Sequence, residues 1–141
     1  MANLLDLCSD LAVRSFQKRD VVLKEDEKDG EILILKSGTL EIQKSGTVVT
    51  TVANPGSIVG EIAVLLDRGH SATAIALSDC ELYVMEAAKA ELAAHPELYR
   101  EVARVLANRL MRVSDAIVEL RNRVEVEKEF SDFELSMFWD L

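Results

Sequence analysis

Apolar residues in the first two-thirds of the chain come in short runs rich in Ile, Leu, Val and Thr, namely Ile32 to Leu35, Leu40 to Gln43 and Val48 to Val52. Runs of β-branched residues separated by turn chemistry predict successive short strands. Within one run Leu40 and Ile42 alternate with Glu41 and Gln43, the period of a strand with one buried and one wet face. Lys44-Ser45-Gly46-Thr47 and Asn54-Pro55-Gly56 supply turns between strands. Ala72 to Leu77 and Leu82 to Met85 add two more, so an antiparallel β core is expected from about Val21 to Met85. All six glycines lie between positions 30 and 69, and the second half of the chain has none.

Beyond Met85 the period changes. Glu86 to Ala94 consists of strong helix formers, and Pro96 suits the first turn of a second helix. Leu106, Leu110, Val113, Ile117, Leu120 and Val124 follow a 4-3-4-3-4 spacing, the heptad stripe of a helix that packs on another helix. That stripe fits a homodimer seam or a face laid on the β core, and periodicity leaves both open. Leu4 to Leu11 reads as a short helix against the core. No repeat or linker interrupts the chain. A single domain over 1–141 is therefore expected, with a barrel at about 17–86, helices at about 87–130 and a tail at 131–141.

Composition narrows the classes of function. Of 141 residues, 49% are apolar and 29% charged, which is globular and far from disordered. Sixteen Lys and Arg against 25 Asp and Glu leave a net charge of −9. A balance of that sign repels phosphate backbones and anionic lipid, so neither DNA nor membrane is an expected partner. The longest apolar stretch, Ile62 to Leu66, is too short for a span or a signal peptide. Cys8 and Cys80 lack metal-ligand spacing and point to reduced thiols in the cytoplasm. His70 and His95 stand twenty-five residues apart with no His-x-His, and no nucleophile triad is spaced for catalysis. No cofactor, metal or enzymatic activity is expected.

One segment carries candidate chemistry. In Gly60-Glu61-Ile62-Ala63-Val64-Leu65, followed by Arg68, His70, Ser71 and Ala72, a helical turn opening after the glycine would aim the amides of Ile62 and Ala63 outward. Those amides suit a phosphate, and the Glu61 carboxylate is a good acceptor for a ribose hydroxyl. Phosphate and sugar together suggest a nucleotide.

These residues resemble the phosphate-binding cassette of the cyclic-nucleotide-binding domains found in kinase regulatory subunits, gated channels and the bacterial catabolite activator. Gly30 to Ile42 is similar to the family's first hairpin, and His95-Pro96-Glu97-Leu98 with Leu106 to Leu110 is similar to its later helices. The resemblance spans about Val21 to Arg121. It implies a mainly β fold with flanking helices, a double-stranded β-helix or jelly roll of eight strands followed by C-terminal helices. It also implies a cyclic AMP or cyclic GMP sensor. Glu61 then matches the acid that accepts the ribose 2′-OH. Gly60, Ile62 and Ala63 match the cassette backbone, and Ser71 and Ala72 match residues that bond phosphate oxygens. Where the family's nucleotide-binding members carry an arginine, this chain has His70. A hydrogen bond to a charged group contributes about 1.5–3 kcal/mol, so losing the arginine weakens binding about ten- to a hundred-fold. Arg68 would reach the same side as His70 if the chain between them is extended. Ser114 lies near the place where the bacterial activator reads adenine, but the preceding residue is Val113, so base choice does not carry over.

The resemblance to the activator ends before any helix-turn-helix, and a stand-alone regulatory domain is expected. In the sensor reading a protein partner that the sequence does not name reads the change, and the competing reading is a relative that has lost its ligand and serves as a dimerisation or protein-interaction domain. Phe130, Phe133, Phe138 and Trp139 crowd the end of the chain. They read as a staple to the chain's own or a partner barrel, or as a lid over the base.

Overall fold

The apolar runs become strands in the computed structural model, which describes residues 3–123. Among them, in order, are α1 (Leu4–Leu7), β1 (Ala12–Phe16), β2 (Val21–Leu23), β3 (Ile32–Ser37), β4 (Leu40–Lys44), β5 (Thr47–Val52) and β6 (Ile58–Val59). Then follow α2 (Glu61–Leu65), β7 (Thr73–Ala76), β8 (Cys80–Met85), α3 (Ala88–Ala94) and α4 (Pro96–Arg123). The eight strands form two antiparallel sheets, ordered β1-β8-β3-β6 and β2-β7-β4-β5. This is the eight-stranded jelly-roll architecture with C-terminal helices that the sequence implied.

The core between the sheets follows strand period. Leu33 and Leu35 of β3 join Leu82 and Val84 of β8, and across the sandwich they meet Leu23 of β2, Leu40 of β4 and Ala74 and Ala76 of β7. Small alanines on β7 share this cluster with large leucines on β3 and β8, a size pairing that lets the layers interdigitate. Strand β3 departs from simple alternation, because Ile32, Leu33, Ile34 and Leu35 are all fully buried. A strand buried on both faces reads as a continuous apolar run.

Two boundaries differ from expectation. The N-terminal helix stops at Leu7, capped at its start by Asn3, whose side chain accepts from the Asp6 amide at 3.0 Å. The chain then enters β1 at Ala12, well before the expected barrel start. Ala-Val-Arg-Ser-Phe is half exposed and has no glycine punctuation. Its strand conformation comes from pairing with β8, from Ala12 opposite Val84 to Phe16 opposite Cys80. That partner is almost seventy residues away, beyond the reach of local pattern.

The described residues fall into two compact units, one through Arg104 and one from Val105, with α4 running through the boundary. In the first unit α4 buries Leu98 and Val102. Here Arg104 donates to both carboxylate oxygens of Glu101, at 2.8 to 3.2 Å, which holds the Glu101 carboxyl below its ordinary range. In the second unit Leu110, Val113 and Leu120 of the heptad stripe are exposed, and Leu106 and Ile117 are half-buried. Val124 and the aromatic tail lie outside the described residues.

Leu82 is fully buried at the centre of the core. Leu82→Ala is expected to lower unfolding stability by about 2–5 kcal/mol. Val49→Ala, on the exposed edge strand β5, is expected to change it by less than about 0.5 kcal/mol. Urea midpoints of the two variants check both values.

Candidate functional site

Strand β6 ends at Val59, and the next residue, Gly60, takes φ +90° and leads directly into α2. A side chain is excluded there on two counts. The positive φ is strained for any residue with a Cβ, and a Cβ would stand 2.7 Å from the Glu31 carbonyl oxygen and 3.3 Å from Cε1 of His70. Glu61 opens α2 and is buried, at 2% exposure. Ala63, two residues further, is buried too, while Ile62 faces outward at the surface. The chain then curls back, as Leu66 and Arg68 donate their amides to the carbonyls of Ile62 and Ala63, both at 2.9 Å.

The loop after α2 is sewn to the segment that leads into β3. The His70 amide donates to the Glu27 carbonyl at 3.0 Å, and the His70 carbonyl accepts from the Asp26 amide at 2.8 Å. Gly69 lies flat against the Asp26 backbone, with no room for a Cβ. Thr73 accepts from the Glu25 amide at 3.0 Å. On the surface Lys28 pairs with Asp67 at 3.0 Å, and that bond holds the Asp67 carboxyl below its ordinary range.

His70 itself is 2% exposed, and its Nε2 lies 2.8 Å from Oδ1 of Asp29. An ionised carboxylate only accepts, so the contact assigns the proton to Nε2. The same Oδ1 accepts the Glu31 amide at 2.9 Å. Glu31 in turn receives both terminal nitrogens of Arg14, at 3.0 and 2.9 Å, a bidentate pair on the edge of β1. The bond to Glu31 raises the Arg14 guanidinium above its ordinary pKa, against a partial opposing effect of burial. Arg14, Glu31, Asp29, His70 and Gly60 thus form one connected cluster behind the cassette.

Of the residues singled out in the sequence, Gly60, Glu61, Ile62, Ala63, His70, Ser71 and Ala72 belong to this stretch, with Ser71 and Ala72 half-buried before β7. The His70 ring is turned inward to Asp29. Arg68 is exposed while His70 is buried, and Gly69 between them packs flat on the Asp26 backbone. Ser114 is half-buried on α4, in the second unit. Sequence reasoning missed Asp29, Glu31 and Arg14. The turn at Asp29-Gly30, with Gly30 at φ +70°, was legible as turn chemistry. Its pairing across forty-one residues with His70 was not. Among the described residues no helix is long and apolar enough to cross a membrane, and no group of three His, Cys, Asp or Glu side chains could hold a metal ion.

Comparison with known proteins adds to this geometry. A family model described as the cyclic nucleotide-binding domain matches residues 13–92. Over 71 residues the chain is 32% identical to a cAMP-dependent protein kinase regulatory subunit of Debaryomyces hansenii, covering 50% of this chain and 16% of that protein. Over 107 residues it is 28% identical to the Pycsar effector protein XpPycTIR of Xanthomonas perforans, covering 74% of this chain and 35% of that one. The chain thus spans about a third or less of these curated relatives. The crystal structure of the Thermus thermophilus catabolite activator protein superposes with a TM-score of 0.66 at 23% identity, covering 84% of this chain and 58% of that chain. At that identity it speaks to the fold alone.

The His70–Asp29 contact has a measurable signature. Asp29→Ala leaves a buried ring nitrogen without its acceptor and is expected to cost about 1–3 kcal/mol, reduced by the partial exposure of Asp29. Asp29→Asn keeps an acceptor oxygen and is expected to retain most of the stability. Thermal unfolding of both variants, with hydrogen exchange at residues 66–72, measures the difference.

Proposed function

The chain belongs to the cyclic nucleotide-binding domain family, and from that premise we propose that it is a regulatory module, not an enzyme, that takes cyclic AMP or cyclic GMP at residues 60–72. The observation that supports this reading is the turn at Gly60. A left-handed glycine delivers the chain straight into α2 with Glu61 at its first position. In this reading Glu61 accepts the ribose 2′-OH, and its burial strengthens that bond by excluding water. The backbone of Gly60, Ile62 and Ala63 borders the phosphate, with Ser71 and Ala72 completing its polar contacts. Ser114 and Arg68 have weaker claims, the first resting on resemblance alone and the second on an exposed side chain. Two buried free thiols, with Cys8 pushed up to about 11 by burial, fit a reducing cytoplasm.

The His70–Asp29 contact favours a second reading. A ring already bonded to a carboxylate is not offered to a phosphate, and no guanidinium replaces it at that position. A domain that kept the fold and lost the ligand would look the same there, and would act through protein contacts alone. In either reading we propose that two copies pair along α4 through Leu106, Leu110, Val113, Ile117, Leu120 and Val124, and that a further protein reads the module's state. The described part of this stripe is partly exposed and has the spacing of a helix pair.

Calorimetric titration of cyclic AMP and cyclic GMP separates the two readings. A sensor binds one of them in the wild type, loses at least ten-fold in Glu61→Ala, and gains about ten-fold or more in His70→Arg. No heat with either nucleotide, in the wild type or in His70→Arg, overturns the sensor and leaves the interaction module. The dimer is tested by sedimentation. The wild type is expected at twice the chain mass and the exposed-site variant Leu110→Glu/Leu120→Glu at the chain mass, whereas a monomeric wild type overturns the seam.

A further inference from the structure

Between Val105 and Arg123, helix α4 carries two apolar lines. The first is the heptad stripe. The second is Met111 and Val118, seven residues apart and therefore within about 20° of each other around the helix, and about 100° or more from the centre of the stripe. Both are largely in water, at 63% and 59% exposure, and Met111 is the most exposed large apolar side chain among the described residues. Pairing along the heptad stripe would leave this second line bare.

The chain after Arg123 carries the apolar side chains to cover this line. The eighteen residues that follow hold six acids against Lys128 alone, and four of the chain's seven aromatic side chains. Each such ring has about 150–250 Å² to bury, and exposing several together is costly.

We infer that residues 130–141 dock on the Met111–Val118 line of their own chain's α4, aromatic rings against the two apolar side chains. The reach suffices. Met111 lies about 18 Å before Arg123 along the helix, and the six residues from Val124 to Glu129 span about 20 Å when extended. Phe130 can therefore return to Met111 without help from a second copy. The inference does not rest on nucleotide binding.

Trp139 is the chain's only tryptophan and reports this docking directly. In the full chain its emission is expected to be blue-shifted from that of the urea-unfolded chain and several-fold less open to acrylamide. Met111→Glu/Val118→Glu changes two exposed positions and is expected to restore unfolded-like quenching while the barrel's thermal midpoint stays in place. A wild-type Trp139 as quenchable as in urea overturns the inference. So does a shielded Trp139 that the double variant leaves shielded, since the tail then docks elsewhere. Release of Trp139 in Leu110→Glu/Leu120→Glu, or on dilution, overturns the same-chain assignment in favour of a second copy.

Discussion

Burial of β3 is the constraint from which the rest of the structure follows. Ile32 to Leu35 have no exposed surface, and the strand is bonded on one side to β8 and on the other to β6. A run buried on both faces gives each residue a large share of hydrophobic stabilisation, and it cannot slip by one residue without putting polar neighbours into the core. The site is hung from its N-terminal end. Glu31 immediately precedes β3, its carbonyl abuts Gly60 and its carboxylate holds Arg14. Asp29, two residues earlier, holds His70. Pairing of β6 with β3 sets Gly60 at that same end. The cassette is therefore positioned by a core strand to which it has no sequence proximity.

Charge around the cassette decides what it can hold. The segment from Lys24 to Glu31 contains five acids and two lysines, and it lies along the loop after α2 through backbone bonds on both sides of His70. Arg14 is committed to Glu31, and Lys28 to Asp67. In the proposed reading an anionic ligand at this place would rely on backbone amides and hydroxyls, which contribute less than a guanidinium fork. The fold of a cyclic nucleotide-binding domain is retained, with the His70 ring turned inward to Asp29.

Much of this was legible without coordinates. The strands from β3 to β5, the turns between them and the change of period after Met85 are written in β-branched runs, glycines and helix formers. The Gly60-Glu61 turn was legible for a similar reason, since a glycine admits a left-handed turn and the acid and small helix formers after it favour a helix start. Strand β1 was not, because Ala12 to Phe16 has little apolar signal of its own and becomes a strand by pairing with β8. Nor was the shortened α1, which gives way where the chain must leave for that pairing.

Local composition thus determined the β-then-helix order, the acidic balance that disfavours nucleic acid, and the presence of a candidate anion turn, because each depends on residues close in sequence. Only the tertiary structure decided which group the His70 ring contacts. A histidine beside serine and alanine reads equally as a ligand or as a loop residue until the partner that claims its ring is known. That partner, Asp29, lies forty-one residues away on a turn that β3 holds in place, and contacts of such separation are set by packing and not by propensity.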